Sequence, residues 1–141
     1  MELMFPAEYI SNVSERMNLY RDLDNVKDEA EMQKFQDNLV DRFGPIPEQA
    51  LNLMSLVRLR WLAIGLGFEK LVLKNERMTA FLIQPQNSPY FNSQVFGNII
   101  DYVVSHPAQC TFKGSDNRAI VFNGVSCVKD AIAILQTIVG K

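Results

Sequence analysis

The chain contains one histidine and two cysteines, the residue types most often used as catalytic bases, nucleophiles and metal ligands. His106 directly precedes Pro107 at the predicted end of a helix, where an imidazole more often hydrogen-bonds the last carbonyl groups than serves as a base. Cys110 and Cys127 lack the spacing of a metal site. We expect both thiols to be buried and reduced, with a disulfide as the alternative.

Glycines and carboxylates occur at positions that favour structural roles. Gly65 and Gly67 lack the lysine of a phosphate-binding loop, and they follow a predicted helix, whereas such loops follow a strand. Carboxylates are concentrated near predicted helix ends, where they cap backbone N–H groups and meet the positive end of the helix dipole. These carboxylates are Asp22, Asp24, Asp28, Glu29 and Glu31. We therefore expect that the chain is not an enzyme by itself.

Four polar residues near the end of the second predicted helix form the candidate partner interface: Asp37, Asn38, Asp41 and Arg42. Asp37 and Asp41 lie about one helical turn apart and therefore share a face. One interpretation is a solvated face on which Arg42 fixes the helix end. The other is a charged docking surface for a basic partner. Arg60 also needs an acidic partner, for which Asp41 is the internal candidate.

The helices that must position these residues lie in the first half of the chain, residues 1–67. Asn12 with Glu15, and Asp28 with Glu31, have the spacing of capping boxes and predict the starts of two helices. Gly44 predicts the end of the second helix. A third helix over residues 49–64 is apolar on nearly all sides, so we expect it to be central. Residues 1–6 resemble a strand, which suggests that the chain was cut from a larger protein.

The second half, residues 68–141, is predicted to contain two units, each a hairpin followed by a helix. The predicted elements are strands 68–74 and 77–84 around a turn at 75–76, a loop at 84–89, a helix from 88–89 to 106, strands 110–113 and 118–123, and a helix from 126 to 138. The predicted fold class is α+β, with an N-terminal helical part followed by a mostly antiparallel sheet with packed helices.

The composition limits the function classes. The 141 residues are sufficient for one domain, and 48% hydrophobic with 21% charged residues is typical of globular proteins. No apolar run approaches the roughly 18 residues that cross a bilayer. The net charge is −2, with 14 basic residues scattered among 16 acidic ones. This balance disfavours a protein whose main activity is binding nucleic-acid phosphates.

The segment of residues 39–47, LVDRFGPIP, ends one helix on an acid–base pair, turns at Gly44 and begins the next segment with two prolines. Further residues accompany it at fixed spacing: Pro6, Tyr9, Ile10, Arg16, Tyr20, Glu29, Glu31, Leu59, Arg60, Ala63, Leu66, Gly67, Lys70 and Leu71. In this combination the chain resembles the C-terminal domain of bacterial transcription-repair coupling factor (Mfd). The resemblance covers the first half closely; beyond Lys74 it rests on the order and length of the elements.

The resemblance implies that residues 1–141 are one C-terminal regulatory domain of a larger ATP-driven DNA translocase. That parent removes stalled RNA polymerase from DNA and recruits the UvrA excision-repair protein. Its motor lies outside this chain, so the resemblance implies ATP for the parent and no cofactor for the chain. It also implies a bacterial cytoplasmic location and no membrane partner.

The resemblance further implies autoinhibition. The domain is expected to dock on the parent's N-terminal UvrA-recruiting module until it is displaced. The family's contact uses acidic residues at the end of the second helix. Asp41 matches such a position, whereas Asn38 stands where an acid can occur.

The alternative hypothesis is a nucleic-acid-binding module that contacts DNA near the parent's motor. It requires the fold to gather a basic patch. The residues of that patch are Arg58, Arg60, Lys70, Lys74 and Arg77.

Overall fold

The computed structural model describes residues 4–83, 89–114 and 118–140. Within these ranges, the helices and strands confirm the predicted α+β class. In chain order the elements are α1 (Val13–Asp24), α2 (Glu29–Phe43), α3 (Glu48–Gly65), β1 (Phe68–Lys74), β2 (Arg77–Leu82), a 3-10 turn (Pro89–Asn92), α4 (Gln94–Ser105), β3 (Cys110–Lys113), β4 (Ala119–Asn123) and α5 (Val128–Val139). Residues 84–88 of the loop predicted at 84–89, and residues 115–117 of the hairpin turn predicted at 114–117, lie outside the described residues.

The chain divides into two compact units, Met1–Trp61 and Leu62–Lys141. We call them the helical unit and the sheet unit. The boundary falls within α3, six residues before the end predicted for the helical half at residue 67. None of the helices in the described part of the chain has the length and apolar character needed to cross a bilayer.

The predicted helix caps are confirmed in the helical unit. Oδ1 of Asn12 accepts a hydrogen bond from the backbone N–H of Glu15 at 2.9 Å, and Oδ1 of Asp28 accepts one from Glu31 at 2.8 Å. Gly44 ends α2 with φ 88° and ψ −164°, a backbone conformation that is essentially restricted to glycine. These local interactions explain why α1 and α2 begin, and α2 ends, where they do.

Apolar side chains of all three helices form the core of the helical unit. Its largest fully buried members are Phe5, Ile10, Leu23, Met32, Leu39 and Met54. Phe5 is only 2% exposed, and its ring lies 5.0 Å from that of Tyr20. Residues 4–6 do not form a strand, so the strand predicted at residues 1–6 is wrong for these three residues. Residues 1–3 are outside the described part of the chain. Burial of Met32 and Leu39 on one side of α2 leaves its opposite side exposed.

The sheet unit contains a four-stranded antiparallel sheet in the order β1-β2-β4-β3. Met78 pairs in register with Phe122, and both side chains are fully buried. Helix α4 contacts α5 and β3, and the ring of Tyr102 on α4 lies 6.3 Å from that of Phe122. One face of the sheet therefore belongs to the core.

Tyr90 connects the 3-10 turn to the segment before β1. Its hydroxyl donates a 2.6 Å hydrogen bond to the carbonyl oxygen of Leu66, and its ring lies against Gly67 at the position that a Cβ there would occupy. The helix predicted to start at 88–89 begins later: Pro89–Asn92 form the 3-10 turn, and α4 follows with Ser93 as its N-cap. Residue 88 lies outside the described residues.

Candidate functional site

The four residues of the predicted interface lie in the last two turns of α2. Asp37, Asn38, Asp41 and Arg42 are all exposed, because the core contacts of α2 come from the other side of the helix. Asp37 and Asp41 are separated by one turn, as their spacing predicts. The tertiary structure keeps the four residues together on the surface of the helical unit.

Arg42 forms an ion pair with Glu15 on α1. Its guanidinium carbon also lies 4.8 Å from the centroid of the neighbouring Phe43 ring. Arg42 thereby ties the end of α2 to α1.

Asp41 has no polar partner among the described residues, unlike Asp37 and Arg42. Oδ1 of Asp37 accepts a hydrogen bond from Nε2 of Gln33 at 2.8 Å. Neither Asp41 nor Asn38 makes a side-chain hydrogen bond or ion pair with any residue in 4–83, 89–114 or 118–140. The carboxylate of Asp41 is therefore available to a partner.

Arg60 is paired with Asp24 at the end of α1, with Nη1 and Oδ1 3.4 Å apart. The hypothesis that Asp41 holds Arg60 internally is therefore wrong. The reason is positional, because the two residues that meet belong to α1 and α3 and are separated by 36 positions in sequence. Sequence spacing carries no signal for such a contact.

The five cations of the alternative basic patch are divided between the two units. Arg58 pairs with Glu29 at 2.6 Å and Arg60 pairs with Asp24, both within the helical unit. Lys70, Lys74 and Arg77 belong to β1 and β2 of the sheet unit. The first two cations are thus already neutralised by carboxylates of the chain.

His106 has the structural role that its position predicts. Nδ1 of His106 lies 2.8 Å from the carbonyl oxygen of Tyr102, to which it donates when protonated, and the two rings stack 4.1 Å apart. Cys110 and Cys127 are free; Cys110 is buried as predicted, whereas Cys127 is only partly buried, so the prediction of two buried thiols is wrong for Cys127. Burial raises the pKa of the Cys110 thiol. Among the described residues, no three His, Cys, Asp or Glu side chains are grouped as a metal site would require.

Val40 belongs to the same surface and was not predicted from the sequence. Its side chain is 49% exposed, next to Asp41 and three positions after Asp37. The available signal was its position outside the stripe of Phe35, Leu39 and Phe43, which marks the core side of α2. The candidate site is therefore a small apolar side chain flanked by two carboxylates.

A family model described as the TRCF domain matches residues 1–93 of the chain, which include this whole surface. The chain belongs to the TRCF domain family. The resemblance inferred from residues 39–47 and their neighbours is confirmed by this match and by the relatives found.

Curated relatives of this TRCF domain are named transcription-repair-coupling factors. The protein of Rickettsia bellii is 28% identical over 120 residues, covering 85% of the chain and 10% of the relative. The protein of Borreliella burgdorferi is 31% identical over 115 residues, covering 82% of the chain and 10% of the relative. The protein of Escherichia coli is 35% identical over 71 residues, covering 50% of the chain and 6% of the relative. The chain therefore spans about a tenth of the length of relatives such as the Rickettsia bellii protein.

The fold of this TRCF domain is also that of a solved structure, the crystal structure of the C-terminal domain of transcription-repair coupling factor. The two superpose with a TM-score of 0.72, covering 99% of the chain and 88% of the solved chain, at 13% identity. At 13% identity, this structural similarity shows that the two chains share a fold.

Proposed function

We propose that this chain is a non-catalytic regulatory domain that docks, through the end of α2, on the N-terminal module of its parent coupling factor. Docking hides the surface by which that module recruits UvrA. The observation that carries the proposal is the carboxylate of Asp41, which is exposed and has no partner among the described residues.

The position of Asp41 within α2 supports a role in binding. Asp41 lies in the last turn of the helix, which ends at Phe43, where the negative end of the helix dipole disfavours a carboxylate. Asp41 forms no ion pair with a described residue, since its neighbour Arg42 pairs with Glu15, so no such contact offsets this cost within the fold. A basic residue on a partner compensates for this local cost.

The charge of the whole unit favours a basic partner. The helical unit carries eleven Asp and Glu residues against seven Lys and Arg, whereas the sheet unit carries five against seven. Three arginines of the helical unit, Arg42, Arg58 and Arg60, are paired with carboxylates of the same unit. Its surface is therefore net acidic, which gives electrostatic complementarity with a basic module.

The chemistry of the surface suits a contact that must be broken. Asp37, Val40 and Asp41 offer one apolar side chain and two carboxylates, which is a small and polar contact area. Shifting a two-state equilibrium from 99:1 to 1:99 requires about 5.5 kcal/mol. A docking free energy of a few kcal/mol lies within reach of the parent's motor when it engages RNA polymerase.

In this proposal the catalytic activity belongs to the parent and not to the chain. The parent is an ATP-driven DNA translocase in the bacterial cytoplasm, and its ATP-binding motor lies outside the residues present here. The chain binds no cofactor itself, and its docking surface on α2 affects UvrA, RNA polymerase and DNA only through the parent.

The test is charge reversal in the full-length parent. The substitution Asp41→Lys should raise the affinity of the parent for UvrA about tenfold, because a charged contact of the docked state becomes repulsive. It should also abolish capture of the isolated 141-residue chain by the isolated N-terminal module. For the full-length parent and for the isolated chain, melting curves of the wild type and of the Asp41→Lys variant show whether the substitution unfolds the domain.

The matched control is Asp22→Lys, which makes the same charge change at an exposed position on α1. It should leave both the UvrA affinity and the capture of the chain unchanged. The proposal fails if Asp41→Lys leaves both measurements at their wild-type values while the melting curve is normal.

A further inference from the structure

The sheet unit presents a second surface, formed by the face of the sheet opposite Met78, Ala80 and Leu82. These three β2 side chains are buried, so the alternating residues of β2 lie on the other face. The registers of the strands place residues of β1, β3 and β4 beside them. We call this the outer sheet face; its members are Lys70, Val72, Lys74, Arg77, Thr79, Phe81, Thr111, Lys113, Ala119, Val121 and Asn123.

Four cations and no carboxylate occupy the paired positions of the outer sheet face; Glu69, in the β-bulge before Lys70, has no paired position. Lys70, Lys74, Arg77 and Lys113 are exposed, and none of them forms an ion pair or side-chain hydrogen bond with a residue in the described ranges. Lys74 and Arg77 are direct cross-strand partners. Like charges that face each other on neighbouring strands destabilise the strand pair, so an anion bound between them reduces their repulsion.

An aromatic ring lies among these cations. Phe81 is half-buried on β2, and Nζ of Lys70 lies 5.6 Å from the centroid of its ring. Its neighbours across the sheet, Lys70 and Ala119, leave it flanked by one long flexible side chain and one small one. A partly exposed ring on a cationic surface offers a stacking platform for an unpaired base.

Protection of the sheet edges does not account for this pattern. Lysines on edge strands hinder the pairing of sheets from different molecules, which is a sufficient reason for Lys70 and Lys74 on β1 and for Lys113 on β3. Arg77 and Phe81, however, lie on β2, which is paired on both sides by β1 and β4. An inner strand needs no such protection.

We propose that the outer sheet face binds single-stranded nucleic acid. Lys70, Lys74, Arg77 and Lys113 contact phosphates, and Phe81 stacks on a base. A duplex offers phosphates but keeps its bases stacked in the helix, so it satisfies only the cations. The proposal is independent of the docking of α2, since its residues belong to the other unit.

The test is fluorescence polarisation of the 141-residue chain with a labelled oligothymidylate of about 12 nucleotides, in parallel with a duplex of equal length. Four phosphate contacts predict that affinity for the single strand falls about a hundredfold between about 20 mM and about 100 mM salt. The double variant Lys74→Gln, Arg77→Gln should weaken binding at low salt and lower the slope of log K against log salt by about 1.4.

Two further variants test the role of the ring. Phe81→Leu should weaken binding about tenfold, because an aliphatic side chain does not stack on a base. Phe81→Tyr keeps an aromatic ring and should bind as the wild type does. The control Lys34→Gln, Lys129→Gln removes the same charge from exposed positions on α2 and α5 and should have little effect.

Three results would overturn the proposal, given normal melting curves. They are equal affinity for the duplex and the single strand, no difference between the double variant and its control, and binding of a labelled polyglutamate peptide as tight as that of the oligonucleotide. The last result would assign the outer sheet face to an acidic protein partner.

Discussion

The guanidinium of Arg60 on α3 lies 3.4 Å from Oδ1 of Asp24 at the end of α1. Both side chains are largely exposed, so solvent screens the pair and it contributes little to stability. Its importance is electrostatic, because a paired Arg60 is not available to Asp41. The carboxylate of Asp41 therefore keeps no ion-pair partner among the described residues, and the proposed docking depends on it.

Charge reversal at Asp41 should leave the fold intact. Asp41→Lys places a cation at the negative end of the helix dipole, so the free energy of unfolding should stay the same or rise by up to about 1 kcal/mol. Leu39→Ala, on the buried side of the same helix, should lower it by about 2–5 kcal/mol. Urea denaturation of the isolated chain measures both changes. A loss of stability in Asp41→Lys comparable to that of Leu39→Ala would show that Asp41 is a structural residue.

Gly44 should be required for its backbone conformation alone. A Cβ at this position meets nothing within 4 Å, yet φ is 88°, which strains any residue with a side chain. Gly44→Ala should therefore lower the free energy of unfolding by about 1–3 kcal/mol. Gly65→Ala is the matched control, since the space around that position is equally open and its φ lies outside the strained range. It should be neutral or stabilising by up to about 1 kcal/mol, and equal effects of the two substitutions would exclude backbone strain at Gly44.

Stability at alkaline pH should depend on Tyr90. Burial raises the pKa of its phenol from 10.0 to about 12. Between about pH 10 and about pH 12 the folded chain therefore retains the phenol proton that the unfolded chain loses. The contribution of the neutral, buried phenol to the free energy of unfolding is complete below about pH 10 and is lost as the pH rises towards 12. Urea denaturation at pH values from about 9 to about 12 measures it.

The variant Tyr90→Phe isolates this contribution. It should make the free energy of unfolding less dependent on pH in that range. It should also lower stability at neutral pH by about 1 kcal/mol, because the hydrogen bond to the carbonyl oxygen of Leu66 is lost. Identical pH profiles for the variant and the wild type would contradict the assignment.

Much of the fold was predictable because it is encoded locally. Strands β1 and β3 have the predicted limits, and the caps at Asn12 and Asp28 form as their spacing indicates. Capping, strand alternation and glycine turns involve residues a few positions apart, so they are visible in the sequence. The start of α4 was predicted too early because Pro89 begins a 3-10 turn, a geometry that proline and the residues after it also accept.

The candidate site was predictable only in part. The spacing of Asp37 and Asp41 placed them on one face, and the exposed surface of α2 agrees. The exposure of Val40 was missed, because burial depends on what packs against a helix and not on the hydrophobicity of the residue. The pairing of Arg58 and Arg60 of the basic patch with carboxylates was also missed, since each partner is distant in sequence.

The sequence by itself determined the helices, most of the strands and the membership of the TRCF domain family, since these depend on residue types at short and regular spacings. The tertiary structure alone decided which charges are neutralised. Glu29 meets Arg58 across 29 positions and Asp24 meets Arg60 across 36, and such pairs form only when the packing of the helices brings the residues together. It also decided the strand order that puts Phe81 on an inner strand. Ionic and sheet contacts depend on distances in space, so the free carboxylate of Asp41 became evident only in the folded chain.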